Sequence, residues 1–155
     1  MYKRQLLLAG RIHFEAQRPD AALGSYEAAM RRTSDRELLG EIEVAAGTAR
    51  FAQQEFVLAA NLFRSAVQHA PDLAETALFN SALAWLYQGN YERFLDDYKE
   101  LSARFPASKA RHELILEEGL LQARAGDRRA EKTLKLFIRD FPDSGRCLLY
   151  TSRCV

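Results

Sequence analysis

Residue types that could carry catalysis or bind a metal are present in this chain, but their spacing builds no site. The histidines are His13, His69 and His112, and none has a cysteine, histidine or carboxylate at metal-ligand spacing. Ser65 and Ser81 have no histidine and aspartate in an order that forms a catalytic triad. The glycines are single and spread out, which excludes a glycine-rich phosphate loop. The sequence therefore predicts no catalytic, metal-binding or cofactor-binding residue and no enzyme.

The composition indicates one helical domain. The chain has 155 residues, and its 22 basic and 21 acidic residues give a net charge of +1. This balance argues against a nucleic-acid partner. Alanine and leucine together supply 46 residues, whereas valine and isoleucine supply 8. Because the first two favour helices and the last two favour sheets, we expect an all-α fold. The longest uncharged run, 76–91, is too short and too polar for a direct membrane span.

The sequence pattern at the two ends differs from that of the rest of the chain. Residues 1–5 and 147–155 resemble translated sequencing-adapter ends on open reading frames assembled from environmental DNA. Both cysteines, Cys147 and Cys154, lie in the second of these segments. We therefore expect both segments to be artefactual, a helical repeat domain over 6–146, and no disulfide. The alternative is a genuine carboxyl terminus that frays. The start of the chain lacks the long apolar stretch of a signal peptide.

Prolines and short turns divide the chain into similar units. Pro71, Pro106 and Pro142 follow one another at intervals of 35 and 36 residues, and glycines mark a turn within the later units. The pattern predicts four helix pairs, in units of about 6–35, 36–72, 73–107 and 108–144. The first helix of each pair is predicted at about 5–16, 36–52, 74–87 and 109–124. The second is predicted at about 20–33, 56–70, 91–104 and 128–140. Capping boxes are predicted at Ser34 with Glu37 and at Asp72 with Glu75.

Small and aromatic residues recur at equivalent places in these units. They are Leu6, Gly10, Ala22, Tyr26 and Ala29; Gly47, Phe56, Ala59, Phe63 and Ala66; Leu78, Ala82, Trp85, Gly89, Tyr91 and Tyr98; and Gly119 and Gly126. With the repeated prolines, the pattern resembles the tetratricopeptide repeat, a helix–turn–helix unit of about 34 residues. Phe94 and Leu101 depart from it, since the family has alanine there. The resemblance implies an α-solenoid of about four antiparallel helix pairs in a right-handed superhelix.

The same resemblance implies a non-catalytic scaffold for protein–protein interactions. A partner peptide or helix would bind in a concave groove lined by the first helix of each pair. The groove positions that it implies include Val44, Leu86, Leu116 and Leu120. The eight residues predicted to contact the partner are Thr48, Phe51, Phe79, Asn80, Leu83, Tyr87, Glu117 and Arg124. Asn80 falls where related modules hold a peptide backbone, and its amide both donates and accepts hydrogen bonds. For apolar positions such as Phe79, contact between neighbouring helices is the alternative role.

Two stripes of like charge lie on predicted second helices. The acidic stripe is Glu92, Asp96 and Glu100, and the basic stripe is Arg128, Lys132, Lys135 and Arg139. The stripes could face one another on neighbouring helices, or both could be solvated. In a third interpretation the basic stripe docks an acidic partner or anionic headgroups.

Other functions and a compartment also follow from the resemblance. The run from Phe141 to Ser144 is similar to bacterial cell-envelope members of the superfamily, including lipoproteins and periplasmic proteins that serve outer-membrane assembly. One alternative is therefore an envelope-assembly or peptidoglycan-linked factor, which favours the bacterial periplasm or envelope over the cytoplasm. Another is an accessory repeat domain of a larger enzyme or regulator. Uncapped units at the ends would allow end-to-end self-association.

Overall fold

Short helices joined by tight turns make up the part of the chain that the computed structural model describes, residues 2–142. The α-helices are α1 Tyr2–Glu15, α2 Pro19–Met30, α3 Arg36–Ala52, α4 Phe56–His69, α5 Ala74–Gln88, α6 Tyr91–Arg104, α7 Ala110–Arg124 and α8 Arg129–Asp140. A short 3-10 turn, Pro71–Leu73, lies between α4 and α5. No strand occurs in residues 2–142, and the predicted all-α repeat fold is confirmed.

The helices fall into two compact units. The first unit ends at Pro106 and contains α1 to α6, and the second begins at Ala107 and contains α7 and α8. Within the first unit each helix contacts the next along the chain. Its amino-terminal core includes Leu23, Tyr26 and Ile42. In the second unit α7 contacts α8 around Leu116 and Phe137.

The helix limits follow the sequence prediction closely. The limits of α3 and α6 are those predicted. The first helix begins at Tyr2, three residues earlier than predicted, and the second ends at Met30, three residues earlier. The Tyr2 side chain is exposed, and the guanidinium of Arg32 lies 5.5 Å from its ring centroid. The predicted tail at 147–155, with Cys147 and Cys154, lies outside the described residues.

Both predicted capping boxes are wrong. Asp35, and not Ser34, is the N-cap of α3, and its carboxylate accepts a hydrogen bond from the backbone N–H of Leu38 at 3.2 Å. Two adjacent residues can both cap a helix, and the charged one also complements the helix dipole. Asp72 lies inside the 3-10 turn, and α5 begins without a side-chain cap. The proline before it already favours the helical φ.

A glycine in the first helix of a pair lets the second helix approach closely. A Cβ atom added to Gly10 would collide with the ring of Tyr26. One added to Gly47 would lie 2.7 Å from the ring of Phe63. In both pairs the ring follows the glycine by 16 residues. In the second unit, a Cβ on Gly119 would lie 2.6 Å from Leu134. The predicted place of small residues at helix crossings is confirmed for these three pairs.

Each pair also turns through one residue with left-handed backbone geometry. These residues are Gln17 (φ 59°), Gln54 (φ 63°), Gly89 (φ 78°) and Gly126 (φ 68°). Each follows the small residue of its pair by seven positions, where the small residues are Gly10, Gly47, Ala82 and Gly119. The constant offset shows that all four pairs share one register.

The two departures from the repeat pattern are part of the core. Phe94 and Leu101, on α6, are fully buried. The ring of Phe94 lies 5.4 Å from that of Tyr91 and 6.1 Å from that of Tyr98. Larger side chains on α6 therefore fill the space that alanine leaves open elsewhere.

Gly47→Leu should lower the free energy of unfolding by about 1–3 kcal/mol, because the new side chain must displace the buried ring of Phe63. Urea unfolding followed by circular dichroism measures this. Gly24→Leu is the matched control, since nothing lies within 4 Å of a Cβ at this position of α2. The control should be neutral or stabilising, because leucine favours helices more than glycine. An equal loss of stability in both variants would contradict a close helix crossing at Gly47.

Gln54→Gly should raise the free energy of unfolding by about 0.5–1 kcal/mol, because glycine adopts a positive φ without the strain that a Cβ adds. The control is Gln53→Gly, where φ is −83°, so that glycine relieves no strain, adds freedom to the unfolded chain and loses the hydrogen bond from the Gln53 amide to Asp20. The same urea titration should show opposite signs for these neighbours.

Candidate functional site

The predicted groove residues lie on three helices in two units. Thr48 and Phe51 are on α3, Phe79, Asn80, Leu83 and Tyr87 are on α5, and Glu117 and Arg124 are on α7. Thr48, Tyr87 and Arg124 are exposed, and the other five are half-buried. Six of the eight predicted residues thus belong to the first unit.

A small cavity joins four of the six residues in the first unit. It has a volume of about 140 Å³, and it is lined by Thr48, Phe51, Asn80, Leu83 and Phe63. Asn80 therefore lies among mainly apolar side chains, where an amide gains more from a hydrogen bond than it does in bulk water. Only Phe63, from α4, was absent from the predicted set.

An aromatic cluster borders this cavity through Phe51. The ring of Phe51 meets the rings of Phe56 and Tyr87 edge to face, with centroids 5.1 and 5.5 Å apart. The rings of Phe56 and Tyr87 are 5.7 Å apart. Tyr87 remains 38% exposed, so the cluster offers an aromatic surface to a partner. Phe79 lies on α5 but does not line the cavity.

A larger cavity, of about 510 Å³, lies at the amino-terminal end of the same unit. Its lining comprises Arg11, Phe14 and Glu15 of α1, Tyr26 of α2, Glu37, Glu41, Val44, Ala45 and Thr48 of α3, and Ala70, Asp72 and Leu73 before α5. Thr48 also lines the smaller cavity. Of these residues, the sequence prediction placed Val44 and Thr48 in the groove and expected only Thr48 to contact the partner. The missed signal was the pair Glu37 and Glu41, one helical turn apart.

Tyr26 closes the inner side of the larger cavity. Its ring is buried against Gly10, and burial raises the pKa of its hydroxyl. The charge of Arg11 offsets part of this rise in pKa, and that of Glu15 adds to it. Both charges therefore act at the wall of the cavity.

The two predicted residues on α7 lie beside a polar link between α7 and α8. Glu118 is buried and accepts a hydrogen bond from Gln122 at 2.9 Å. Gln122 in turn accepts one from the hydroxyl of Thr133, on α8, at 2.7 Å. Glu117 and Arg124 lie on the less buried part of α7.

The basic stripe of α8 forms a shallow surface in the second unit. Arg128, Lys132, Lys135 and Arg139 line a depression of about 340 Å³ together with Glu131 and Leu136. Two of its cations are paired on the same helix, Lys135 with Glu131 at 2.5 Å and Arg139 with Asp140 at 2.7 Å. These carboxylates reduce the positive charge that the stripe presents.

The acidic stripe of α6 is tied to its own unit at Glu100. This carboxylate accepts hydrogen bonds from Arg64 of α4 at 2.6 Å and from Arg104 at 2.9 Å. Burial opposes its ionisation, but these two partners outweigh burial and lower the pKa of Glu100. Both of its oxygens therefore have cationic partners within the first unit.

Ser65 and His69 meet a buried carboxylate and not each other. The hydroxyl of Ser65 donates to Glu43 at 2.7 Å, and Nδ1 of His69 lies 2.8 Å from the other oxygen of Glu43. A nucleophilic serine needs the histidine against its own hydroxyl, so this order does not activate it. The three residues instead link α3 to α4.

Ser81 and Asp97 form the deepest polar contact in the first unit. The hydroxyl of Ser81 donates to Asp97 at 2.5 Å, and Arg64 lies 3.1 Å from the other oxygen. Burial raises the pKa of Asp97, and the hydrogen bond from Ser81 and the charge of Arg64 offset only part of this. This contact links α4, α5 and α6.

Asp97→Asn should change how stability depends on pH. Because the pKa of Asp97 is raised on folding, the folded chain holds this proton more tightly than the unfolded chain. The stability due to this proton is full below the ordinary carboxyl pKa of about 3.9, and it is lost as pH rises towards the folded value.

Urea unfolding at a series of pH values measures the effect. The free energy of unfolding of the wild type minus that of Asp97→Asn should fall as pH rises above about 4 and then level off. Asp96→Asn, at an exposed neighbour, is the control for loss of one acidic residue. A difference that rises with pH would mean that Arg64 outweighs burial.

Across residues 2–142, no group of three or more His, Cys, Asp or Glu side chains is placed to hold a metal ion. Within the same range, no helix combines the length and the apolar character that crossing a bilayer requires.

Comparison with known proteins gives a structural relative. No protein-family model matches the sequence, and no curated protein matches it. Among solved structures, a TPR repeats protein from Bacteroides fragilis NCTC 9343 aligns with a TM-score of 0.60 at 20% identity. The alignment covers 88% of this chain and 62% of that one, so this chain spans less than two thirds of its relative's length. The fold is therefore that of a tetratricopeptide-type helical repeat, as the sequence resemblance implied.

Proposed function

We propose that this chain is a protein-interaction scaffold that binds a segment of a partner protein across α1, α3 and α5. The fold supports the general role, because helical repeats of this type present rigid extended surfaces. The proposed binding surface consists of the two cavities that both have Thr48 in their lining, and we name it the α3 groove.

The sharing of Thr48 by both cavities carries this proposal. Glu37, Glu41, Val44, Thr48 and Phe51 follow one another at intervals of three or four residues, which places them along one side of α3. From the first to the last of them, α3 rises about 21 Å. An extended peptide covers that distance with about six residues. The groove is therefore long enough to select a short linear segment.

The side chains of the groove suit a peptide. The half-buried amide of Asn80 can donate to a carbonyl and accept from an N–H of the same backbone. Phe51 and Tyr87 add aromatic area that loses little entropy when a partner binds. In the second unit, taken by itself, Glu117 and Arg124 on α7 are the residues proposed for binding.

A binding role also fits the polar residues in the core. The hydroxyls of Ser65 and Ser81 both donate to buried carboxylates that hold neighbouring helices together. A role in stability alone therefore accounts for Ser65, Ser81 and the carboxylates they contact. A scaffold needs no turnover or cofactor, and its mechanism is presentation of a preformed surface.

Asn80→Ala should weaken the binding of groove-directed peptides about tenfold or more, because it removes a polar anchor at the centre of the surface. Peptides are first selected from a displayed random library on the wild-type chain, and their affinities are then measured by fluorescence anisotropy. Asn61→Ala, at an exposed position of α4, is the matched control and should leave affinity unchanged. Melting curves of both variants should match the wild type.

A different result would move the site. The basic stripe of α8 is the binding surface if the selected peptides bind Asn80→Ala normally but do not bind the triple variant Arg128→Glu, Lys132→Glu and Lys135→Glu. The proposal for the α3 groove would then be wrong.

A further inference from the structure

The larger cavity of the α3 groove carries an unbalanced charge. Its lining holds four carboxylates, of Glu15, Glu37, Glu41 and Asp72, against the one guanidinium of Arg11. Arg11 and Glu15 lie one turn apart on α1, so their charges offset each other locally. The remaining carboxylates lie on α3 and at the corner before α5. The net field in this part of the groove is therefore negative.

The carboxylates of Glu37, Glu41 and Asp72 have no ion-pair or hydrogen-bond partner among the described residues. Within residues 2–142, Glu37, Glu41 and Asp72 take part in no ion pair and no side-chain hydrogen bond. By contrast, Glu43, Asp97 and Glu100 in the same unit are all satisfied by neighbouring helices. Glu37, Glu41 and Asp72 thus line one cavity without an ion-pair partner.

The position of Glu41 makes the arrangement unfavourable for the isolated chain. Glu37 lies in the first turn of α3, where the helix dipole favours a negative charge. Glu41 is one turn further on, half-buried, and repelled by Glu37. A cation bound between them would relieve this repulsion and would gain charge-assisted hydrogen bonds.

The floor of the cavity defines the kind of cation. Phe14, Val44, Ala45 and Leu73 are half-buried and give it an apolar surface beneath the acidic rim. Lysine and arginine match both features, because their aliphatic stems lie on apolar surfaces while the charged ends reach polar groups. A small metal ion would leave the apolar floor unused.

We propose that the amino-terminal half of the α3 groove selects a partner segment in which lysine or arginine stands next to an apolar residue. This inference rests on the proposed function and adds the chemistry of the partner. The basic side chain binds Glu37, Glu41 and Asp72, and the apolar residue lies on Phe14 and Val44. An acidic segment is repelled from the same place.

The test uses the peptides selected from the random library. Selected sequences should be enriched in lysine or arginine beside an aliphatic or aromatic residue. The double variant Glu37→Gln and Glu41→Gln should weaken their affinity roughly tenfold, the effect of losing about one charge-assisted hydrogen bond. Added salt should weaken wild-type binding and change that of the double variant less.

The matched control removes the same charge elsewhere in the first unit. Glu92→Gln with Asp96→Asn lowers the negative charge on exposed positions of α6, outside both cavities. Affinity for the selected peptides should stay within twofold of the wild type. Equal losses in the two double variants would show general charge attraction and would overturn the inference.

Other outcomes separate this inference from the proposed function. If the selected peptides are neutral or acidic and still depend on Asn80, the binding surface stands and the basic specificity fails. If binding depends on neither Asn80 nor Glu37 and Glu41, both proposals fail. Sedimentation can contradict the inference in another way. If the chain forms a dimer that both the Lys132→Glu with Lys135→Glu variant and the Glu37/Glu41 double variant break, then α8 of a second copy occupies the groove.

Discussion

The close approach of two helices at a glycine sets the geometry on which the first unit depends. At Gly10 and Gly47 the first helix of a pair has no side chain, and an aromatic ring from the second helix occupies that space. The distance between the axes of two packed helices depends on the side chains at their contact, so a glycine there lets the two helices pack closer together. The turn that reverses the chain follows seven residues later in every pair. The pair is thus a rigid unit whose outer side chains have fixed positions.

Buried carboxylates then specify which helices become neighbours. Glu43 holds Ser65 and His69 across α3 and α4, and Asp97 holds Ser81 and Arg64 across α4, α5 and α6. A buried charge is costly unless its partners are in place. An alternative order of helices would leave these groups without partners. The raised pKa of Asp97 shows that burial still disfavours its charge even with both partners present.

The sequence predicted the helices well because their limits depend on local chemistry. Apolar periodicity and regularly spaced breaks identify α3 and α6 to the residue, and the seven-residue offset shows that Gln17 and Gln54 occupy the turn position that is glycine in later pairs. The caps were predicted less well, because Ser34 and Asp35 are both competent and the charge of Asp35, which complements the helix dipole, is not part of the spacing pattern. Such choices are not encoded in the spacing alone.

The residues that line the smaller cavity could be grouped from the sequence because they recur at equivalent positions of two helices, α3 and α5, and their role in binding stays a prediction. Thr48, Phe51, Asn80 and Leu83 come together as expected, since equivalent positions on α3 and α5 face the same space. The larger cavity was missed because its walls come from α1, α3 and the corner at Asp72, which are far apart in sequence. No periodicity on one helix can reveal a cavity of that kind. The spacing of Glu37 and Glu41 marks one wall of the cavity, and the other walls come from segments distant in sequence.

The two halves of the α3 groove differ in chemistry, which gives the proposed binding a direction. One half places acidic groups above an apolar floor, and the other offers the amide of Asn80 and the rings of Phe51 and Tyr87. A segment with a basic residue at one end and an aromatic or aliphatic residue at the other fits in one orientation only. In the reverse orientation its cation would lose the carboxylates and its apolar end would cover them, which costs their solvation. The proposed specificity therefore depends on the order of residues along the partner as well as on their types.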